Sequence, residues 1–409
     1  MKEFFSVTTL ERVLAYKNDF PRVETETVPL TACLGRVLAA DVTAHENLPQ
    51  FSRSTMDGYA VNAASSFGAS EANPAYLIIR GAVAMGETPD FKVKSGEAAR
   101  IATGGMLPKG TNSVVMIEHT EAVDTTSVEV YKSVAPGQNI VEAGEDFSLS
   151  SVLMSAGSRL RPQDIGLLAA FGHETITVFR RPVVGIISTG DEIVPISATP
   201  GAGQVRDVNL YSLSGQVLSV GAGVKGFGIV ADNFNALKAT CAKALESCDM
   251  LMISGGSSVG MRDFTMEVLN SLPQTRVLVH GISISPGKPT ILAKAGHKPF
   301  WGLPGHVTSA MVVFAAVVKP FIDAISGCTD TDQARLRLKA TLSRNVSSAQ
   351  GRVDFLRVKL RQENDILWAD PVLGKSGLIN TMVKSDGLVA IGLNTEGVDK
   401  GDTVEVMPF

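Results

Sequence analysis

Residues 181 to 328 alternate unbroken apolar runs with helical patterns, and this alternation constrains the fold more than any other feature of the 409-residue chain. VVGIIS stops at TGDE. DVNLYSLSGQVLSVG follows as a helix, with Asp207 or Asn209 as its cap and Gly221 as its stop. KGFGIV, the helical NALKATCAKALES and the run DMLMIS come next. β-rich runs that alternate with helices predict a parallel sheet covered on both faces. Pro320 is expected to end or kink the last helical pattern.

The flanks read differently. Residues 1 to 180 hold short apolar runs (AYLIIR, SVVMIE, SVEVYK) between Gly, Pro and Asn turns, with one clear helix from Pro162 to a stop at Gly172. Residues 335 to 409 return to β texture after a linker near CTDTDQA. The chain is 44% hydrophobic and 19% charged, which excludes a disordered protein. A net charge of −4 without basic runs argues against nucleic acid as a partner. The apolar stretch Ala310 to Val318 is shorter than the ~20 residues of a membrane span, so no membrane partner is expected. The N-terminus lacks the apolar core and cleavage site of a signal peptide. Cys33, Cys241, Cys248 and Cys328 show no CxxC spacing, which favours a reduced, cytoplasmic setting without structural zinc.

Polar residues of the middle segment gather where its apolar runs stop. They are Thr189, Gly190, Asp191 and Glu192, then Asp232, then Ser254 to Gly260 with Asp263, and finally Pro304 and Gly305. The carboxyl ends of parallel strands share one edge, where ligands bind in doubly wound sheets. The glycines and serines of 254–260 suit a phosphate, although an ordinary βα turn has the same composition. The carboxylates suit a metal, a nitrogen-rich ring or acid–base work; Asp232 and Asp263 also qualify as caps for the helices after them. ISPGKPT holds Lys288 between two prolines, either as a fixed cation or as a solvated turn residue. GLPGHVTSA reads as a strand end, a turn and a helix start suited to an anion, with His306 at its tip. In the first part, Asp57 (STMDGYAV), Thr103 (IATGGMLPKG) and Asp146 (AGEDF) lie in polar turns.

Taken in order, STMDGYA, RIATGGMLPKGTNSVVM, AGEDF, LRPQDIGLLAAFG, STGDE, SGGSSVGMRDFT, PGKP and GLPG resemble the molybdopterin molybdenumtransferases, the family that includes the E domain of gephyrin. The resemblance covers essentially the whole chain. It implies an α/β multidomain fold: a central three-layer α/β/α molybdopterin-binding domain at 181–328, an elongated N-terminal domain of 1–45 and 147–180, a β-rich domain inserted at 46–146, and a small C-terminal β domain at 335–409. The implied activity inserts molybdate into adenylylated molybdopterin and releases AMP, with Mg²⁺ as cofactor. The implied assembly is a homodimer with a shared cleft, and the implied pathway partner is the molybdopterin adenylyltransferase.

The resemblance also implies roles. Asp57, Thr103 and Asp146 reach the cleft from the partner chain. Asp191, Glu192, Asp232 and Asp263 are its acidic residues, with Asp232 and Asp263 holding the metal. Ser254, Gly255, Gly256, Ser257, Ser258 and Gly260 hold the pterin phosphate, beside Thr189, Gly190, Pro304 and Gly305. Lys288, Ser309, His306, Arg352 or Arg357, and Ser376 face molybdate.

The sequence departs from the family around that anion. Ser285 and Gly281 stand where relatives commonly carry lysine, Val141 stands near a usual arginine, and His306-Val307 replaces Asn-Pro. Two readings follow: an insertase with altered anion affinity, or a paralogue that prefers tungstate or binds pterin without efficient insertion. A scaffold role is a third.

Overall fold

The computed structural model describes residues 7–255, 261–329 and 336–409, the side chains of 261–263 excepted. The chain divides into two compact units, one of Asp41–Ser155 with Gly166–His173 and one of Met1–Ala40, Ala156–Ile165 and Glu174–Phe409.

The larger unit is built on a six-stranded sheet. Its strands are β1 (Val183–Thr189), β2 (Gly223–Val230), β3 (Met250–Gly255), β4 (Thr275–His280), β6 (Ile291–Ala295) and β7 (Lys298–Leu303); β5 (Ile284–Ser285) lies outside it. The sheet order is β2-β1-β3-β7-β6-β4. The helices are α1 (Asn209–Ser219), α2 (Phe234–Ser247), α3 (Met261–Ser271), α4 (Val307–Val313) and α5 (Lys319–Ile325). Successive strand residues point to opposite faces. Ile186 and Met252 therefore pack with Leu213 and Val217 of α1 and Val313 of α4, while Ile187 and Ile253 pack with Leu237 of α2 and Val268 of α3. Both faces are covered, which is why the strands read as unbroken apolar runs.

The structure refines three sequence expectations. The sheet is parallel from β2 through β7, but β6 runs antiparallel to β7 and β4 antiparallel to β6. The two-residue Gly296-His297 link between β6 and β7 leaves no room for a crossover helix, so the pair closes as a hairpin. Asp207 caps α1 through the Leu210 N–H (3.0 Å). Asn233, and not Asp232, caps α2 by accepting from the N–H groups of Asn235 and Ala236 (3.0 and 3.1 Å). Pro320 does not end its helix. A π turn at Phe314–Val318 joins α4 to α5 and places the proline in the first turn of α5. The helical run Val307–Ile325 is long and apolar enough to cross a membrane, but it is mostly buried and forms part of this unit's core.

Downstream, Leu338–Leu342, β8 (Val353–Glu363), Ile366–Pro371, Gly387–Ile391 and Thr403–Pro408 pair in a closed ring around their own core. Closure removes exposed strand edges. β5 joins this barrel rather than the α/β sheet, with Ser285 opposite Asp354 in a parallel pair with β8.

Arg180 grips Asp249 with two bonds of 2.6 Å, and Asp249 also accepts from the Val183 N–H (2.8 Å). Burial pushes the Asp249 carboxyl up, but the Arg180 and Val183 bonds outweigh it and leave its pKa below the usual value. A depressed carboxyl pKa stabilises the fold above its unfolded value, and the benefit is lost as pH falls through the folded value. Asp249→Ala is expected to cost about 2–3 kcal/mol at pH 7, somewhat less than for a fully buried pair. In urea denaturation the gap from the parent protein should narrow steadily toward pH 3.

The smaller unit carries another six-stranded sheet, in which Gly58–Val61 lies between Ser113–Met116 and Glu97–Ile101. A Cβ at position 58 would collide with the Val115 carbonyl, so the residue after Asp57 has to be glycine. All four cysteines are buried and free.

Candidate active site

The carboxyl ends of β1, β2 and β3 bring the middle acidic residues together. Register sets Thr189 beside Val230 on one side and Gly255 on the other. Thr189 is buried, and its Oγ1 donates to Asp232 Oδ1 (2.9 Å). The Asp191 N–H donates to Asp232 Oδ2 (3.2 Å), and the Asp232 N–H donates back to Asp191 Oδ1 (3.1 Å). Asp232 is thus held in place by bonds from the strand end. Burial raises its pKa, and the nearby Asp191 and Glu192 charges add to the rise against the Thr189 and Asp191 bonds. Asp191 and Glu192 are themselves exposed.

A cation placed here would relieve that repulsion. Mg²⁺ is ordinarily held by one or two carboxylates together with substrate phosphates, so Asp232 with Asp191 or Glu192 fits it. Among the described residues no three His, Cys, Asp or Glu side chains form a complete metal cage. The Asp263 side chain and Gly256, Ser257, Ser258 and Gly260 lie outside the described residues. Ser254 is fully buried, its hydroxyl without a hydrogen-bond partner among the described residues. Gly190 is buried and Gly255 half-buried at the same strand ends.

Next along the edge, Ser254 pairs with Leu303, which places Pro304 and Gly305 beside the β3 end. From there a cavity of about 880 Å³ opens between β8, the loop after β5 and the start of α4. Lys288, His306, Ser309, Arg352, Arg357 and Ser376 all line it. Distant stretches of sequence therefore meet at one site.

The loop after β5 is fixed by its backbone. The Ile282 N–H donates to the Lys288 carbonyl (2.9 Å), and Thr290 Oγ1 donates to the Gly287 carbonyl (2.6 Å). Gly287 has φ +115°, and a Cβ there would strike Val313. Lys288 extends from this rigid loop with an exposed side chain.

The two arginines differ. Arg352 Nε lies 2.9 Å from Asp354 Oδ1 and is largely neutralised by that pair. Burial pushes the Asp354 carboxyl up, but bonds from Ser348, Arg352 and Ser285 outweigh it and hold its pKa low. Arg357 is 9% exposed. It donates to Thr381 Oγ1 (2.7 Å) and the Gly374 carbonyl (2.9 Å), and no carboxylate among the described residues pairs with it. Burial lowers its pKa. A buried guanidinium without a counter-ion is costly unless an anion joins it.

The GLPGHVTSA turn contributes side chains more than helix N–H groups. The Thr308 N–H is already bonded to the Ser376 carbonyl (3.3 Å), and His306 makes no capping bond. Ser309 is buried on the cavity wall. In the smaller unit, Asp57 Oδ1 accepts from the Thr103 N–H (2.7 Å) and Oγ1 (3.0 Å). These bonds, the backbone one first, hold the Asp57 carboxyl below its usual range. Asp57 thus bonds across the sheet and not within its own turn. Asp146 is exposed, with its N–H bonded to the Leu48 carbonyl (3.1 Å).

Sequence reasoning missed Asp354 and Asn209. Asp354 was discoverable, because a carboxylate two residues after Arg352 in GRVDFLR is within reach of its guanidinium. Asn209 gave no such signal; its Nδ2 donates to the Gly305 carbonyl (2.7 Å) and fixes the turn beside the cavity.

Comparison with known proteins gives the family. Residues 7–172 match the family described as the MoeA N-terminal region (domain I and II), 185–324 the probable molybdopterin binding domain, and 339–409 the MoeA C-terminal region (domain IV). A Methanocaldococcus jannaschii protein named for molybdopterin biosynthesis is 36% identical over 97% of this chain and 94% of its own length. The molybdopterin molybdenumtransferase of Bacillus subtilis is 31% identical over 94% of this chain and 90% of its own. A crystal structure of a Pyrococcus horikoshii molybdopterin biosynthesis MoeA protein superposes with TM-score 0.86 at 30% identity, covering 99% of this chain and 100% of that one. The chain belongs to the molybdopterin molybdenumtransferase (MoeA) family.

Proposed function

We propose that this protein is a molybdopterin molybdenumtransferase: it inserts molybdenum, taken up as molybdate, into molybdopterin in molybdenum cofactor biosynthesis. Arg357 is the observation that carries the reading, a buried cation without a counter-ion among the described residues, in a cavity that also holds Lys288, Ser309 and Ser376. Molybdate is a tetrahedral dianion, and these donors match its charge and shape. The finer reading is that the pterin arrives adenylylated and AMP is released.

In that reading Asp232, with Asp191 or Glu192 and Asp263, would hold Mg²⁺, which when bound neutralises the pyrophosphate and polarises phosphorus. Thr189 and the Asp191 N–H orient the Asp232 carboxylate. Lys288, Arg357 and Ser309 hold the oxyanion at the neighbouring strand end. The carboxylates and cations thus keep the two negatively charged substrates on separate stations of one sheet edge. Purified protein supplied with adenylylated molybdopterin, molybdate and Mg²⁺ should activate a cofactor-free molybdoenzyme, and failure to do so would reject the reading.

The finer reading extends to a cytoplasmic homodimer served by the adenylyltransferase, with Asp57, Thr103 and Asp146 of one subunit facing the middle segment of the other. Mixing inactive Asp57→Ala and Asp232→Asn proteins under subunit exchange should then restore about a quarter of parental activity, since half the dimers gain one intact cleft. No restoration despite verified exchange would place all these residues in a single-chain cleft.

A further inference from the structure

His306 stands at the cavity mouth, exposed and without a capping bond. Its Nδ1 lies 3.1 Å from Ser376 Oγ. A single hydrogen occupies that bond. With the ring neutral and its proton on Nε2, Ser376 must donate, and its hydroxyl hydrogen is used on the ring. With the ring doubly protonated, Nδ1–H donates to Ser376 Oγ and the hydroxyl hydrogen turns to another acceptor. An oxyanion in the cavity is such an acceptor.

The surrounding charges make the ring's protonation depend on the anion. Lys288 on the loop after β5, Arg352 just before β8 and Arg357 on β8 all line the same cavity, and Lys375 adjoins Ser376 in the chain. Asp354 is the one carboxylate among the cavity's described lining residues, and it is paired with Arg352. A dianion bound beside the ring favours its protonated form. We propose that His306 takes up a proton when a tetrahedral dianion binds, and that this proton switches Ser376 from donating to the ring to donating to the anion. His306 is then a positioning residue that acts through Ser376. The inference rests on the oxyanion reading of the cavity.

Calorimetric titration of the full-length protein with molybdate alone, in buffers of different ionisation enthalpy between pH 7 and 8.5, tests it. Up to one proton should be taken up per molybdate bound, with affinity falling by up to about tenfold per pH unit where uptake is complete. His306→Asn and His306→Gln should both bind molybdate without proton uptake and with flat pH dependence, whereas Ser376→Ala should bind more weakly but keep the uptake. Binding by the parent without uptake, or uptake unchanged in both His306 variants, would overturn the inference and leave the cavity assignment standing. No binding by the parent at any pH would overturn the cavity assignment itself, and this inference with it.

Discussion

Asp232→Asn is expected to lower turnover about 10²- to 10⁴-fold, the range for loss of a positioned acid–base or metal-holding group. The asparagine carbonyl still accepts the Thr189 hydroxyl. Its amide cannot accept the Asp191 N–H, and it carries no charge to hold a cation. The fold should tolerate the change, because Asn233 supplies the cap of α2 and burial already disfavours the Asp232 charge. Molybdate binding in the cavity should stay within about twofold, since Asp232 is not among the residues that line it. Steady-state kinetics and calorimetry on the same preparation separate the two effects. Lost anion binding would mean that Asp232 shapes the cavity rather than the chemistry.

Arg357→Ala is expected to weaken molybdate binding about 100-fold or more, as when one partner of a desolvated charge pair is removed. Arg357→Lys should recover only part of the loss, because an ammonium cannot span both Thr381 Oγ1 and the Gly374 carbonyl while facing the anion. Arg352→Ala should cost much less, because Arg352 is already paired with Asp354. Equal losses from the two alanine changes would contradict the assignment of the uncompensated charge to Arg357.

That distinction shows where the sequence stopped being informative. GRVDFLR offered two arginines with equal claim, and only burial and the Asp354 pair separate them. The sheet edge was legible, because strands buried on both faces are uninterrupted apolar runs and their polar ends stand out. Thr189, Asp232, Pro304 and Gly305 were found that way. The antiparallel β6 was less legible, since nothing in ILAKAGHKPFWGL marks it as other than two more runs until the two-residue link is weighed. β5 pairs with β8 at a sequence separation of 69 residues, a tertiary event that local pattern does not encode. Ser285 turns its side chain to Asp354, the one carboxylate among the cavity's described lining residues. Arg357 is the buried cation left without a carboxylate among the described residues.

The measurement that bears most directly on the central claim is molybdate-dependent AMP release from adenylylated molybdopterin by the purified protein in Mg²⁺. The account predicts AMP and molybdenum-loaded cofactor appearing together, both lost in Asp232→Asn and both strongly reduced at limiting molybdate in Arg357→Ala. Adenylylated molybdopterin that is bound but never consumed, at any molybdate concentration, would contradict it.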